Sequence, residues 1–202
     1  CYFCGSSKES IKMCSKCYDT LSHRQAHINR AIDGVKVYSA GVYDKNLQKM
    51  IRGIKYHRQK ELGFYMAKFM WEYFQKIAES DGLTQEFEVV PVPMHKTRKK
   101  KRGYNHMEIV AKEFCQLSGF EPNYNLIERI KDTKPQYKLS YTEKEKNLEG
   151  AFRVNKSNYH DKPILIIDDI CTSGSTFSTM IKALRGSGIR EIVCISASSP
   201  DY

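Results

Sequence analysis

The chain has 202 residues, with 33 Lys plus Arg against 23 Asp plus Glu, giving a formal charge of +10. At about 100 to 200 residues per domain, that length suits one globular core with a small accessory module. Hydrophobic residues at 41% and charged residues at 28% exclude a disordered chain. No run of about 18 apolar residues exists to span a membrane. No secretory signal precedes Cys1, and a removed upstream segment is left open.

The N-terminus carries four of the seven cysteines, Cys1, Cys4, Cys14 and Cys17, spaced C-x2-C-x9-C-x2-C. Each C-x2-C pair lets two thiolates enter one tetrahedral shell, and the intervening stretch is long enough to fold the second pair onto the first. The pattern predicts a structural zinc site with no open coordination position. Two redox dithiols or a two-disulfide knot are the alternatives, and the odd cysteine count disfavours them. The expected division is a zinc module over 1–30 and an α/β domain over 31–202. His23 and His27, four residues apart, are expected at the surface, because four cysteines complete the shell.

From Val35 to Tyr43 the near period-two pattern reads as a strand or hairpin broken at Gly41. Asp44 can cap a helix whose Leu47, Met50, Ile51 and Ile54 share a face, and Leu62, Met66, Phe69, Met70, Tyr73 and Ile77 mark a second helix. Between them, Lys55, Tyr56, His57 and Arg58 either overhang a site or form a solvated turn. Phe87 to Val92 reads as a buried strand, and a basic run from Lys96 to Arg102 follows it, closed by Gly103. Asn105 can cap a helix that stops at Gly119. Lys131 to Asn147 is polar and aperiodic, hence loop. Ile164 to Ile167 is a second buried strand, Ser175 to Arg185 a helix and Glu191 to Ala197 a third strand. Strand, helix, strand in so little chain predicts a parallel βαβ unit and an α/β body.

The densest chemistry lies in PILIIDDICTSGSTFSTM, Pro163 to Met180. Apolar residues carry Asp168 and Asp169 to the carboxyl end of a strand, where open parallel sheets place ligands. Thr172, Ser173, Gly174, Ser175 and Thr176 then form a small-residue turn opening a helix. Such a turn offers consecutive N–H groups and hydroxyls to a phosphate, with Gly174 permitting close approach. The acids suit donors such as sugar hydroxyls, or a divalent metal. The stretch matches neither a G-x-x-x-x-G-K-S/T loop nor a G-x-G-x-x-G turn, so the implied ligand is a sugar phosphate.

ILIIDDICTSGST resembles the phosphoribosyl-pyrophosphate loop of type I phosphoribosyltransferases. With VVPVPMHKTRKKKRGYN (Val89 to Asn105), PQYKLSYTEKEKNLEGAF (Pro135 to Phe152) and the four cysteines, nearly the whole chain resembles the ComF family of competence proteins. The resemblance implies a type I phosphoribosyltransferase-like parallel sheet with flanking helices. It assigns Asp168 and Asp169 to the ribose hydroxyls, Thr172 through Thr176 to the 5′-phosphate, and Arg102 to the pyrophosphate side. Mg²⁺ with phosphoribosyl pyrophosphate, or a nucleotide, is the implied ligand. Two positions depart from the family pattern. His106 stands where Gln is common and Lys146 where Arg is usual, which keeps charge but loses the two-pronged donor.

Lys96, Arg98, Lys99, Lys100, Lys101 and Arg102 form either a solvated loop or an anion site shared between the phosphoribosyl ligand and single-stranded DNA. Tyr104, Tyr137 and Tyr141 are candidate stacking residues. Cys171 sits where a helix N-terminus could lower its pKa, yet it reads as a small turn residue. The resemblance implies a cytoplasmic protein acting on incoming single-stranded DNA in natural transformation. Recruitment to the inner face of the membrane, a competence helicase and other DNA-processing partners go with that role. A catalytically silent adaptor and a salvage transferase acting on a free base are the alternatives.

Overall fold

The computed structural model describes residues 1–7, 12–23, 25–133 and 148–200, with residues 26–28 described by backbone only. The N-terminal half holds α1 (Ser15–Ser22), β1 (Gln25–Ile32), β2 (Val35–Gly41), α2 (Lys45–Tyr56), α3 (Leu62–Asp81), β3 (Glu88–Pro91) and α4 (Lys96–Arg102). The C-terminal half holds α5 (His106–Ser118), β4 (Glu121–Pro122), β5 (Ile127–Arg129), β6 (Phe152–Val154), β7 (Ile164–Ile170), α6 (Ser175–Gly186) and β8 (Ile192–Ser198).

Strand β7 shows why the sheet is the centre of the molecule. Its residues alternate between two cores, and both are apolar, so the sequence reads as a continuous hydrophobic run. Leu165 and Ile167 join the core built with Met50, Ile54, Phe69, Met107 and Val110 from α2, α3 and α5. Ile164 and Ile166 join the opposite core, with Phe177, Met180, Ile181 and Leu184 of α6. Truncating Ile166 or Ile167 to Ala would cost about 2–5 kcal/mol. Helices therefore cover both faces, and the body is the parallel α/β fold expected from the sequence.

The sheet runs β1-β2-β8-β7-β3-β4, with β5 and β6 forming a separate antiparallel ribbon. All neighbours in the main sheet are parallel except β1, which returns antiparallel along β2. Asp33 and Gly34 join these two strands with φ of 49° and 72°, and Ile32 pairs with Val35. Two positive φ values in a two-residue loop mark the primed turn that matches strand twist. Strand β1 carries no regular apolar alternation, so only the hairpin's second arm was legible. The boundary expected at residue 30 falls inside β1.

Capping at two predicted helix starts is observed. The Asp44 carboxylate accepts from the N–H groups of Asn46 and Leu47, both at 2.9 Å. The Asn105 carbonyl accepts from Met107 N–H at 3.1 Å, and its amide donates to Val92 O. The basic run forms α4 instead of a solvated loop. Lys and Arg are good helix formers, His95 caps its start, and Gly103 ends it at φ 87°. Most of the loop expected over Lys131 to Asn147 lies outside the described residues.

The cysteine module packs onto the body. Met13, Tyr18 and Leu21 join the core of α2 and α3, and Tyr18 Oη donates to Glu72 at 2.8 Å. Tyr2 lies against Gly53 on α2, where a Cβ would sit 3.1 Å from its ring. Among the described residues, no helix is long and apolar enough to cross a membrane.

Candidate functional site

Two consecutive residues of a strand point to opposite faces, and this separates the two acids. Asp168 follows the direction of Ile164 and Ile166, toward α6. There it lines a small depression with Cys171, Thr172, Gly174, Ser175 and Thr176. Gly174 caps α6 with φ 80°, a conformation that costs an L side chain, and a Cβ there would meet Ile32 Cδ1 at 2.3 Å. The Ser173 and Ser175 hydroxyls bond each other at 2.8 Å. The first N–H groups of a helix have no intrahelical acceptor, so the turn has the donor chemistry of an anion cradle. Beneath it, Arg30 of β1 donates from Nη2 to Thr172 O at 2.6 Å and Cys171 Sγ at 2.7 Å.

Asp169 follows Leu165 and Ile167 toward α2 and α5. Its Oδ2 forms a buried ion pair with Lys55 Nζ and lies 2.6 Å from His106 Nε2. Arg102 Nη1 lies 3.2 Å from His106 Nδ1. A guanidinium can only donate, so Nδ1 accepts and Nε2–H donates to Asp169. Burial pushes the Asp169 carboxyl upward, but the Lys55 charge, then His106, hold it well below the usual carboxylate range. Burial lowers the His106 pKa, which Asp169 offsets only in part, so the ring is neutral. Lys55 is penalised by burial yet raised by Asp169, so it stays charged. Among the described residues Asp168 forms no such ion pair, although the Lys55 and Arg129 charges act to lower its pKa. Burial and then the Asp169 charge raise its carboxyl to about 7.

The acid pair is thus divided: Asp168 faces the turn, while Asp169 anchors Lys55, His106 and, through it, Arg102. Lys55 was one of two open readings in the sequence, and His106 was visible only as a departure from a family pattern. Arg129 of β5 was not singled out. Its guanidinium lies over the Phe152 ring at 5.6 Å, and burial lowers its pKa while the Asp168 charge acts in the opposite sense. No sequence signal marks it, because β5 has three residues. Cys171 is buried. Burial raises its thiol pKa, outweighing Arg30, so the lowering that a helix N-terminus would bring is not observed.

At the N-terminus, ligand atoms of Cys1, Cys4, Cys14 and Cys17 all lie within 4.8 Å of one another, and Cys4 Sγ is 3.8 Å from Cys14 Sγ. Sulfur atoms at about 2.3 Å from a tetrahedral metal sit roughly 3.8 Å apart, so the cluster fits a metal. Burial and the neighbouring thiols raise the Cys17 pKa to about 11. A metal would displace that proton. His23 is exposed, as expected; the side chain of His27 lies outside the described residues.

Comparison with known proteins finds relatives along almost the full chain, although no family model matches. Competence protein F of Haemophilus influenzae is 25% identical over 198 residues, covering 95% of this chain and 86% of that protein. DNA utilization protein YhgH is 23% identical in Salmonella typhimurium and 21% in Escherichia coli K12, covering 93% of this chain and 85% of each. These relatives, matched along almost the whole chain, support the resemblance to the ComF family.

Among the described residues, half of the basic block is paired with carboxylates. Lys96 pairs with Glu128 at 2.8 Å, Arg98 with Asp132 at 3.3 Å, and Lys99 with Glu108 at 2.8 Å. Arg102 lies over the Tyr56 ring at 5.4 Å. Lys100 and Lys101 are exposed and have no carboxylate partner among the described residues. Within the third ComF block, Tyr137, Tyr141, Lys146 and Asn147 lie outside the described residues.

Proposed function

We propose that this ComF-like protein binds phosphoribosyl pyrophosphate, or a nucleotide, at the β7–α6 turn and acts on incoming single-stranded DNA in natural transformation. The observation that carries the ligand reading is Gly174, held at φ 80° at the head of α6 with Asp168 on the same side of the sheet. Thr172 through Thr176 surround the 5′-phosphate, and Asp168 accepts from the ribose hydroxyls. Asp169 acts one step back: it keeps Lys55 charged beside the site and aligns His106 and Arg102. The Lys55 and Arg102 charges, with Arg129, favour the pyrophosphate end. Mg²⁺ arriving with the ligand would neutralise pyrophosphate oxygens, and Asp168 is the carboxylate free to face them. The names of the relatives, competence protein F and DNA utilization protein, support the role in DNA uptake.

Calorimetric titration of phosphoribosyl pyrophosphate with Mg²⁺ tests the reading. Asp168→Asn should weaken binding roughly 10- to 100-fold, the worth of one or two charge-assisted contacts. Equal affinity in parent and variant would remove Asp168 from the ligand.

The four cysteines hold one zinc ion in this reading. Reduced protein should carry about one zinc per chain, and Cys14→Ser should release it while the main sheet stays folded. Metal analysis finding iron–sulfur absorbance or no metal would overturn this assignment.

A further inference from the structure

The outer face of α2 carries a stripe of cations that no carboxylate among the described residues neutralises. Lys45, Lys49, Arg52 and Tyr56 follow one another at steps of four, three and four, so they form one stripe, and all four are exposed. The inner stripe of Leu47, Met50, Ile51 and Ile54 is buried. Unlike Lys96, Arg98 and Lys99, none of the three cations pairs with a carboxylate among the described residues. Tyr56 is 62% exposed, with the Arg102 guanidinium 5.4 Å from its ring.

The stripe is flanked by more rings and cations. Lys49 Nζ donates to Phe3 O at 3.0 Å and lies 5.4 Å from the Tyr2 ring and 5.8 Å from that of Phe3, so the stripe touches the cysteine module there while two of its three ammonium donors stay open. At the other end Lys60 lies over Tyr104 at 4.6 Å, and Lys55, next to Tyr56, reaches Asp169. At about 1.5 Å per residue the stripe is roughly 16 Å long. It leads from the metal module to the mouth of the acid site.

Cations without acids attract a polyanion, and an exposed ring offers a face to a base. A duplex keeps its base faces stacked inside, so the ring selects for single strands. We infer that the Lys45–Tyr56 face of α2 is a track for single-stranded nucleic acid, with Lys45, Lys49 and Arg52 holding phosphates and Tyr56 stacking a base. The inference rests on the DNA-handling reading above and gives it a surface other than the basic block.

Fluorescence anisotropy with a labelled thymidine 20-mer, titrated at several salt concentrations, tests it. Tyr56→Ala should weaken binding about ten-fold or more, and Tyr56→Phe should retain it. Changing Lys45, Lys49 and Arg52 together to Gln should flatten the dependence on log salt by about 0.7 per lost phosphate contact. Tyr124→Ala, an equally simple truncation of an exposed ring with no cation over it, should bind like the parent. Circular dichroism confirms that each variant folds. Binding by the parent with no loss in the Tyr56 and triple variants would overturn the track while leaving the DNA reading intact. A parent that binds no single strand, or binds duplex equally well, would overturn both.

Discussion

The two sides of β7 solve opposite electrostatic problems with the same residue type. On the α6 side, Asp168 is desolvated with no ion pair among the described residues, and its carboxyl rises to about 7 despite the Lys55 and Arg129 charges. On the α2 side, Asp169 is the more buried of the two but meets Lys55 and His106, and it stays ionised. A carboxylate whose partner is one backbone N–H, that of Asp169, keeps acceptor sites for a ligand. One with two partners organises its neighbours. Adjacent acids in a motif therefore need not share a role, and strand alternation decides which is which.

The largest effect should come from closing the turn. Gly174→Val forces a β-branched side chain to φ 80° and against Ile32, and inorganic phosphate binding should fall below detection by calorimetry while the far-ultraviolet dichroism persists. Phosphate binding that survives would show that the α6 side is not the cradle. Next, Asp169→Ala strands a buried Lys55 charge, at a cost of about 3–5 kcal/mol measured by urea unfolding. A loss below about 1 kcal/mol would mean that Lys55 escapes to water and the two sides are less different than the geometry implies.

Asp168→Asn should change stability in the other direction. The folded carboxyl titrates at about 7 against about 3.9 unfolded, so ionisation penalises the fold increasingly as pH rises from 4 through 7. Parent and variant should melt most alike near pH 4, and the variant should gain a few degrees at pH 8. A variant that loses stability at pH 8 would place a counter-ion beside Asp168. The smallest effect belongs to the basic block. Replacing Lys100 and Lys101 by Gln should weaken single-stranded DNA binding a few-fold and flatten its salt dependence.

Much of this architecture was legible because its signals are local. Alternation in ILII, the caps Asp44 and Asn105, and the C-x2-C pairs each specify a neighbourhood of a few residues. The division between Asp168 and Asp169 was implicit in the same alternation, but it acquires meaning only when α2 and α5 bring Lys55 and His106 to one face. Those contacts span 114 and 63 residues respectively, the differences between 169 and 55 and between 169 and 106. Nothing in the pattern around Lys55 announces such a partner, because it sits at the end of a helix between buried Ile54 and exposed Tyr56. The basic run shows the converse. Its composition was plain, but the acids that pair with it come from α5, β5 and Asp132.

The far edge of the sheet has a bearing on how copies of the molecule behave together. A chain of charge +10 is kept apart from its copies by repulsion, and any bound polyanion weakens that protection. Exposed strand edges then become templates for self-association. Here the last strand, β4, has only Glu121 and Pro122, and it pairs with β3 through two residues. Proline offers no N–H, and two residues give an incoming strand almost nothing to extend. Colloidal stability at that edge is thereby built into the backbone and persists when charge no longer protects it.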